Sequence, residues 1–214
     1  MPRFTTFLFD LDGTLIDHFA AIHRCHAYTM KQLGLPPPTL AQVRSVVGGG
    51  LETAIERLVG REHVAAAVPI YRAYWDTILL DDVVLLPGAR EMLASLHARG
   101  AKLAVFTNKL GSSSRLICEH LGIASLLDGN FGAKDTPWIK PAPEFTAQVL
   151  AQLGAVPETT LLVGDSPYDI QTARNGGFPC WAVTTGTHNA EELHAAGADA
   201  VFADLIALQA ALPR

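Results

Sequence analysis

The chain has 214 residues, 49% of them hydrophobic, with 16 lysines and arginines against 21 aspartates and glutamates and a formal net charge of -5. That length suits one domain with an insertion, or two small domains, and supplies ample apolar material for a core. The acidic balance argues against a nucleic-acid partner held by phosphate neutralisation, and no apolar run is long enough to span a membrane.

Cys25, Cys118 and Cys180 show no C-x-x-C spacing and read as reduced, buried thiols of a cytoplasmic protein. Arg3 alone precedes the first apolar run, and that run ends in charge, so no secretory signal is expected.

Residues 4–9, F-T-T-F-L-F, read as a buried strand of a parallel sheet. The run ends in Asp10 and Asp12, followed by Gly13 and Thr14. Two carboxylates therefore stand at the C-terminal tip of a core strand, where open α/β sheets place their ligands. Side chains two apart leave a regular strand on opposite faces, so both serve one site only if the strand ends between them. A plain turn is the competing reading of D-x-D-G.

Residues 17–80 read as wholly helical. In 17–34, Ala20, Ile22, Cys25, His26, Thr29, Met30 and Leu33 recur at roughly helical spacing, and Gly34 stops the run. Pro36, Pro37 and Pro38 cannot continue it. Thr39 caps a second helix with Leu40, Val43, Val46 and Val47 on one face, and Gly48, Gly49 and Gly50 break it. Two further helices follow at 51–58 and 62–80. Pro87 and Gly88 mark a return to alternation. Helix 89–99 leads to strand 102–107, which ends at Thr107 and Asn108. Helix 112–121 and a short strand at 129–132 follow. Lys140 and Pro141 precede helix 144–153. Strand 160–163 ends in Gly164 and Asp165, and helix 170–175, strand 181–184 and a last strand at Val201 and Phe202 complete the pattern. Alternating strands and helices predict a parallel sheet. The expected fold is a Rossmann-like α/β core of residues 1–15 and 86–214, with residues 16–85 inserted as an all-helical cap over the C-terminal edge of the sheet.

The strand tips carry a set of parts. Asp10, Asp12, Asp165 and the nearby Asp169 can gather a hard divalent cation such as Mg2+, which takes oxygen ligands. The Thr107 hydroxyl, the Asn108 amide and the Lys140 ammonium can hold phosphate oxygens. A carboxylate nucleophile can form an acyl phosphate that water then hydrolyses.

Four motifs in order, D-L-D-G-T at 10–14, T-N at 107–108, K-P at 140–141 and G-D-S-P-Y-D at 164–169, give the chain a resemblance to the haloacid dehalogenase (HAD) superfamily over nearly its whole length. T-N-K at 107–109, V-V-G-G-G-L-E at 46–52 and V-G-D-S at 163–166 make it similar to the phosphoglycolate phosphatase-like branch with a helical cap. The resemblance implies a phosphoric monoester hydrolase that uses Mg2+ and acts on a small phosphorylated metabolite through an aspartyl phosphate. It implies Asp10 as nucleophile and Asp12 as general acid/base, with the Asp12 backbone carbonyl toward the metal. Thr107, Asn108 and Lys140 would bind the phosphoryl group, and Lys140 would pair with Asp10. Asp10, Asp12, Asp165 and Asp169 would form the metal set, Asp169 directly or through water. The acidic Asp12 favours phosphoryl transfer over carbon–halogen cleavage. Alternatives are a β-phosphoglucomutase-like phosphomutase, a pyrophosphatase and a non-catalytic interaction module. Monomer and homodimer are both open.

Gly49, within the three-glycine run, is expected to lie on a loop that closes on the substrate. Arg44 and Arg57 read as solvated helix residues, and Lys109 as a solvated lysine opening a loop. His18 and His23 read as packing or surface groups near the hinge. His18 stands where a serine or threonine is common in the resembling family, and Trp138 is a bulky neighbour of Lys140.

Overall fold

The structure, a computed structural model, describes residues 4–212; Arg3 and the outer ends of the expected segments 1–15 and 86–214 lie outside them. Six parallel strands form the main sheet: β1 (Thr6–Phe9), β4 (Lys102–Leu110), β5 (Gly129–Ala133), β6 (Thr160–Gly164), β7 (Cys180–Val183) and β8 (Ala200–Phe202). Their spatial order is β5-β4-β1-β6-β7-β8. Counted in chain order within this sheet, that is 3-2-1-4-5-6, the doubly wound arrangement whose switch point falls between β1 and β6.

The β1 sequence shows why the sheet is buried on both faces. Phe7 and Phe9 point into one apolar cluster, with Met92, Leu93 and Leu96 of α5 (Ala89–Ala98) and Ile117 of α6 (Gly111–His120). Leu205 and Leu208 of α10 (Leu205–Ala211) join the same cluster. Leu8 points the other way, into a cluster with Phe145 and Val149 of α7 (Pro143–Leu153), Ile170 of α8 (Pro167–Gly176) and Leu193 of α9 (Ala190–Ala196). Alternation along a strand therefore feeds two cores, one per face. The short helices α9 and α10 follow N-caps at Asn189 and Asp204 and have no counterpart in the sequence reading.

Between β1 and α5 the chain builds α1 (Phe19–Gln32), α2 (Leu40–Arg44), α3 (Leu51–Val59) and α4 (Val64–Ile78). The expectation that this stretch holds no strand is corrected at its start. Ile16–Asp17 is β2, and it pairs antiparallel with β3 (Val84–Leu85) just past the last helix, Ile16 facing Leu85 and Asp17 facing Val84. A two-stranded ribbon thus ties the exit and re-entry of the insertion together. The Asp17 carboxylate accepts from the Phe19 backbone N–H at 3.1 Å, satisfying one free donor in the first turn of the helix that follows. The second helix also stops early, at Arg44, leaving Val46 and Val47 in turns. Its start is as expected: Thr39 and Gln42 form a reciprocal capping box. Among the described residues no helix is long and apolar enough to cross a membrane. All three cysteines are buried and free.

Phe106 is fully buried on β4 and meets Phe145 edge-on at 4.8 Å between ring centroids. Phe106→Ala removes this contact from a close-packed layer, so an unfolding free energy lower by ~3–5 kcal/mol is expected. A drop in denaturant midpoint at unchanged slope is the measurement that checks it.

Candidate active site

Register brings the polar tips together. Phe9 is level with Val105 on one side and Val163 on the other. Asp10 follows Phe9, Thr107 comes two residues after Val105, and Asp165 two after Val163. The strand β1 ends before Asp10, which frees both Asp10 and Asp12 from strand alternation. Asp169 arrives from the first turn of α8. Ser166 and Asp169 form a reciprocal capping box with Pro167 at the first helical position, a local signal that starts the helix there.

Lys140 is the central cation. Its ammonium lies 2.6 Å from Asp169 Oδ1 and 3.0 Å from Asp10 Oδ1, all three side chains buried. Asp169 Oδ2 accepts from the Ser166 backbone N–H at 3.1 Å and hydroxyl at 2.6 Å. Asp165 accepts from the Thr14 hydroxyl at 3.2 Å and from the Thr187 backbone N–H at 3.0 Å. Gly186 makes this fit possible: a Cβ there would stand 1.8 Å from Asp165 Oδ2.

The charges do not balance. Burial raises the Asp10 pKa most, Lys140 pulls it back and Asp169 pushes it up again, leaving it at about 6 against an ordinary 3.8. Asp165 is raised well above its usual range, first by burial and then by Asp10 and Asp169. Burial disfavours the Lys140 ammonium, yet Asp10 and Asp169 carry its pKa above the usual value. Three carboxylates thus face one ammonium in a place that excludes water. Asp10 Oδ1 has no aligned hydrogen-bond donor and meets the ammonium only as a charge. Among the described residues, Asp10, Asp165 and Asp169 each offer an oxygen within 4.8 Å of the others, close enough to share a metal ion. An all-oxygen, acidic donor set with an unsatisfied oxygen fits a hard divalent cation. The Asp12 carboxylate, expected beside these three, is outside that group.

Asp12 instead pairs with Lys109, whose ammonium donates to both its oxygens at 3.0 and 2.8 Å. Lys109 is therefore not solvated as expected. Its ammonium is also 4.6 Å from the Trp75 ring centre, on α4 of the insertion. Asn108 makes contacts that the sequence did not suggest. Its side-chain amide donates to the carbonyls of Lys140 and Gly48, each at 3.0 Å, and accepts from the Lys140 N–H at 2.7 Å. That side chain fixes the Lys140 loop and ties it to the insertion.

The glycine run lies on the site. Gly49 is buried, and a Cβ there would meet Tyr168 Oη at 2.5 Å. Gly48, Gly49 and Gly50 line a cavity of about 320 Å3, whose floor includes Asp10, Asp12, Thr107, Asn108 and Lys109. Arg44 and Arg57 are corrected in part: Arg44 donates to the Gly186 carbonyl at 3.2 Å and stacks over Phe19, and Arg57 donates to Tyr168 Oη at 3.1 Å. Arg44 bridges the insertion to a core loop and Arg57 bridges it to the first turn of α8. His18 is fully buried against Trp75, with its pKa lowered to about 4 by burial, and His23 lies 2.9 Å from the Pro38 carbonyl. Both are packing groups. Trp138 is among the exposed large residues, its ring turned partly to solvent.

The haloacid dehalogenase-like hydrolase profile matches residues 7–183. The chain belongs to the haloacid dehalogenase-like hydrolase family. Among curated relatives of this hydrolase, the phosphoglycolate phosphatase of Yersinia pseudotuberculosis is 33% identical over 208 residues, covering 92% of this chain and 90% of the relative. The probable phosphatase IndB of Dickeya dadantii is 34% identical over 195 residues, covering 88% and 85%. A haloacid dehalogenase-like family hydrolase from Streptococcus pneumoniae superposes with a TM-score of 0.89 at 28% identity, covering 97% of both chains. The core motifs at Asp10, Thr107, Lys140 and Asp165 thus sit in a hydrolase of the family they pointed to.

Two stability measurements probe the cluster. Because the folded-state pKa of Asp10 is raised, its stabilising share is present below 3.8 and is lost as pH rises through about 6. Asp10→Asn is therefore expected to raise stability above that window, by at most ~3 kcal/mol, with the gain vanishing below it. Added Mg2+ should raise the melting temperature of the wild type and leave that of Asp10→Asn nearly unmoved. Lys140→Met removes the sole ammonium and should destabilise the fold by ~3–5 kcal/mol at neutral pH, measured by denaturant unfolding.

Proposed function

We propose that this hydrolase is a Mg2+-dependent phosphatase of small phosphorylated metabolites, working through an aspartyl phosphate on Asp10. The observation that carries the reading is Asp10 itself: a buried carboxylate with an oxygen no donor satisfies, at the floor of a small cavity shared with Asp12 and Thr107. Asp10, Asp165, Asp169 and the Asp12 backbone carbonyl would hold Mg2+, which when bound supplies positive charge toward the phosphoryl oxygens.

The chain's own groups divide the rest of the work. An Asp10 oxygen attacks phosphorus as the bond to the alcohol oxygen breaks, and Asp12 gives that oxygen its proton. Asp12 then takes a proton from water as the water oxygen attacks the phosphoryl group, releasing phosphate and restoring Asp10. The Thr107 hydroxyl, which lines the same cavity as Asp10 and accepts from the Lys109 backbone N–H at 3.2 Å, would donate to the phosphoryl group. Lys140 balances the charge that Asp10 and Asp169 hold. The insertion, pinned to the core through Gly48, Arg44 and Arg57, acts as a lid that excludes bulk water and limits entry to small molecules. The names of the relatives make phosphoglycolate the reference substrate.

Asp10→Asn is expected to lower phosphate release by ~10³-fold or more while the protein stays folded. Full activity in that variant overturns the mechanism. Asp12→Asn on p-nitrophenyl phosphate, whose leaving group needs little proton assistance, should give a burst of nitrophenolate equal to the enzyme present, followed by slow turnover. A linear trace without a burst speaks against the covalent step.

A further inference from the structure

The cavity beneath the insertion has two ends of opposite charge. At its floor the Asp10 and Asp12 side chains are 7% and 11% exposed. At its mouth stand Arg72 of α4 and Lys134, just past β5, at 43% and 60%. Lys109, the cation at the floor, is committed to both oxygens of Asp12. Arg72 and Lys134 are not committed in that way. Both face one oxygen of Glu52, at 3.8 and 3.5 Å, and among the described residues neither makes an aligned hydrogen bond. Exposed ion pairs of this length hold weakly.

Glu52 shows what the two cations can do. One comes from the insertion and the other from a core loop, yet they stand close enough to share a single carboxylate oxygen. Two cations against one carboxylate leave one positive charge, the complement of one further carboxylate. The Arg72 guanidinium carries five donors in a fixed fork, enough to serve two carboxylates at once.

Lys134 is held in a conformation that its side chain does not favour. Its φ is 71°, in the left-handed region that suits glycine. The neighbouring Asp135 braces that turn. Its carboxylate accepts from the Gly132 backbone N–H at 2.9 Å and from the two terminal nitrogens of Arg115 at 2.8 and 2.9 Å. A strained, braced backbone that presents a cation at a cavity mouth is the kind of outlier that gathers at ligand clamps.

We propose that Arg72 and Lys134 form a second-anion subsite that sets the specificity of the enzyme for phosphomonoesters whose alcohol carries a carboxylate. The inference rests on the phosphatase reading above and names the residues that choose its substrate. The two ends of the cavity orient such a molecule. The buried carboxylates of the floor repel its carboxylate, which turns to the mouth, while the phosphoryl group lies beside Asp10. A carboxylate seated there ties the insertion to the core loop.

The test compares kcat/KM, with Mg2+, within two matched pairs: phosphoglycolate against ethyl phosphate, and 3-phosphoglycerate against glycerol 3-phosphate. A fifth substrate, p-nitrophenyl phosphate, serves as a general probe. In at least one pair the carboxylate ester should exceed its uncharged partner by about tenfold or more. Arg72→Gln and Lys134→Gly should each lower that ratio by about fivefold, through a higher KM for the carboxylate ester with kcat nearly kept. Because Lys134→Gly supplies the residue that this φ favours, its loss of preference should come without a drop in melting temperature. A ratio near one in both pairs, with phosphate released, overturns the subsite and keeps the phosphatase. A preference that either variant leaves unmoved overturns the pair as its source. Release from none of the five substrates overturns both readings.

Discussion

Three carboxylates and one ammonium buried at the same point govern the rest of this structure. Asp10, Asp165 and Asp169 repel one another in a place where water cannot screen them, and Lys140 neutralises only part of the charge. Such a cluster persists because the surroundings over-determine it. Thr14, Thr187 and Ser166 donate to it, the α8 capping box fixes Asp169, and Asn108 clamps the Lys140 backbone from both sides. The arrangement trades stability for a buried excess of negative charge, which a hard divalent cation would offset.

The sheet topology is what allows this concentration. A 3-2-1-4-5-6 order sets β1 directly between β4 and β6, so the tips of three strands that are distant in sequence share one crevice. The same edge gives the chain room to leave. After a turn at Gly13, Thr14 and Leu15 it forms a two-residue ribbon strand, builds four α-helices and returns through the partner strand. A ribbon that short holds the two crossings side by side. The insertion meets the core through both apolar and polar contacts: Ile22, Tyr71, Trp75 and Ile78 share one buried cluster with Phe9, Leu11 and Leu15, and hydrogen bonds run from Asn108 to Gly48, Arg44 to Gly186, Arg57 to Tyr168 and the Trp75 indole to Ser113.

The features legible in the sequence were those written locally. Apolar runs ending in Asp10, Thr107 and Asp165 gave three strands and their tips, while the helix expected at 170–175 begins earlier, at Pro167, where the Ser166–Asp169 capping box starts it. Thr39 announced its cap. The features that escaped depend on chain segments far apart. The β2–β3 pair is two residues on each side, too short to show a period, and exists only because Ile16 meets Leu85. Lys109 looked like any loop lysine, since its partner Asp12 is ninety-seven positions away. The Asn108 amide contacts with Gly48 and Lys140 also escaped, since those partners lie 60 and 32 positions away. The helices at 190–196 and 205–211 are seven residues each, so their signal rests on single caps at Asn189 and Asp204.

The Asp12–Lys109 pair joins the two halves of the molecule chemically. The carboxylate that would move protons is held at both oxygens by an ammonium, and that ammonium rests against Trp75 of the insertion. Asp12 therefore senses the insertion through one side chain. With the helices seated, Trp75 shields Lys109 from water and strengthens its hold on Asp12, because the same charges attract more strongly where solvent is excluded.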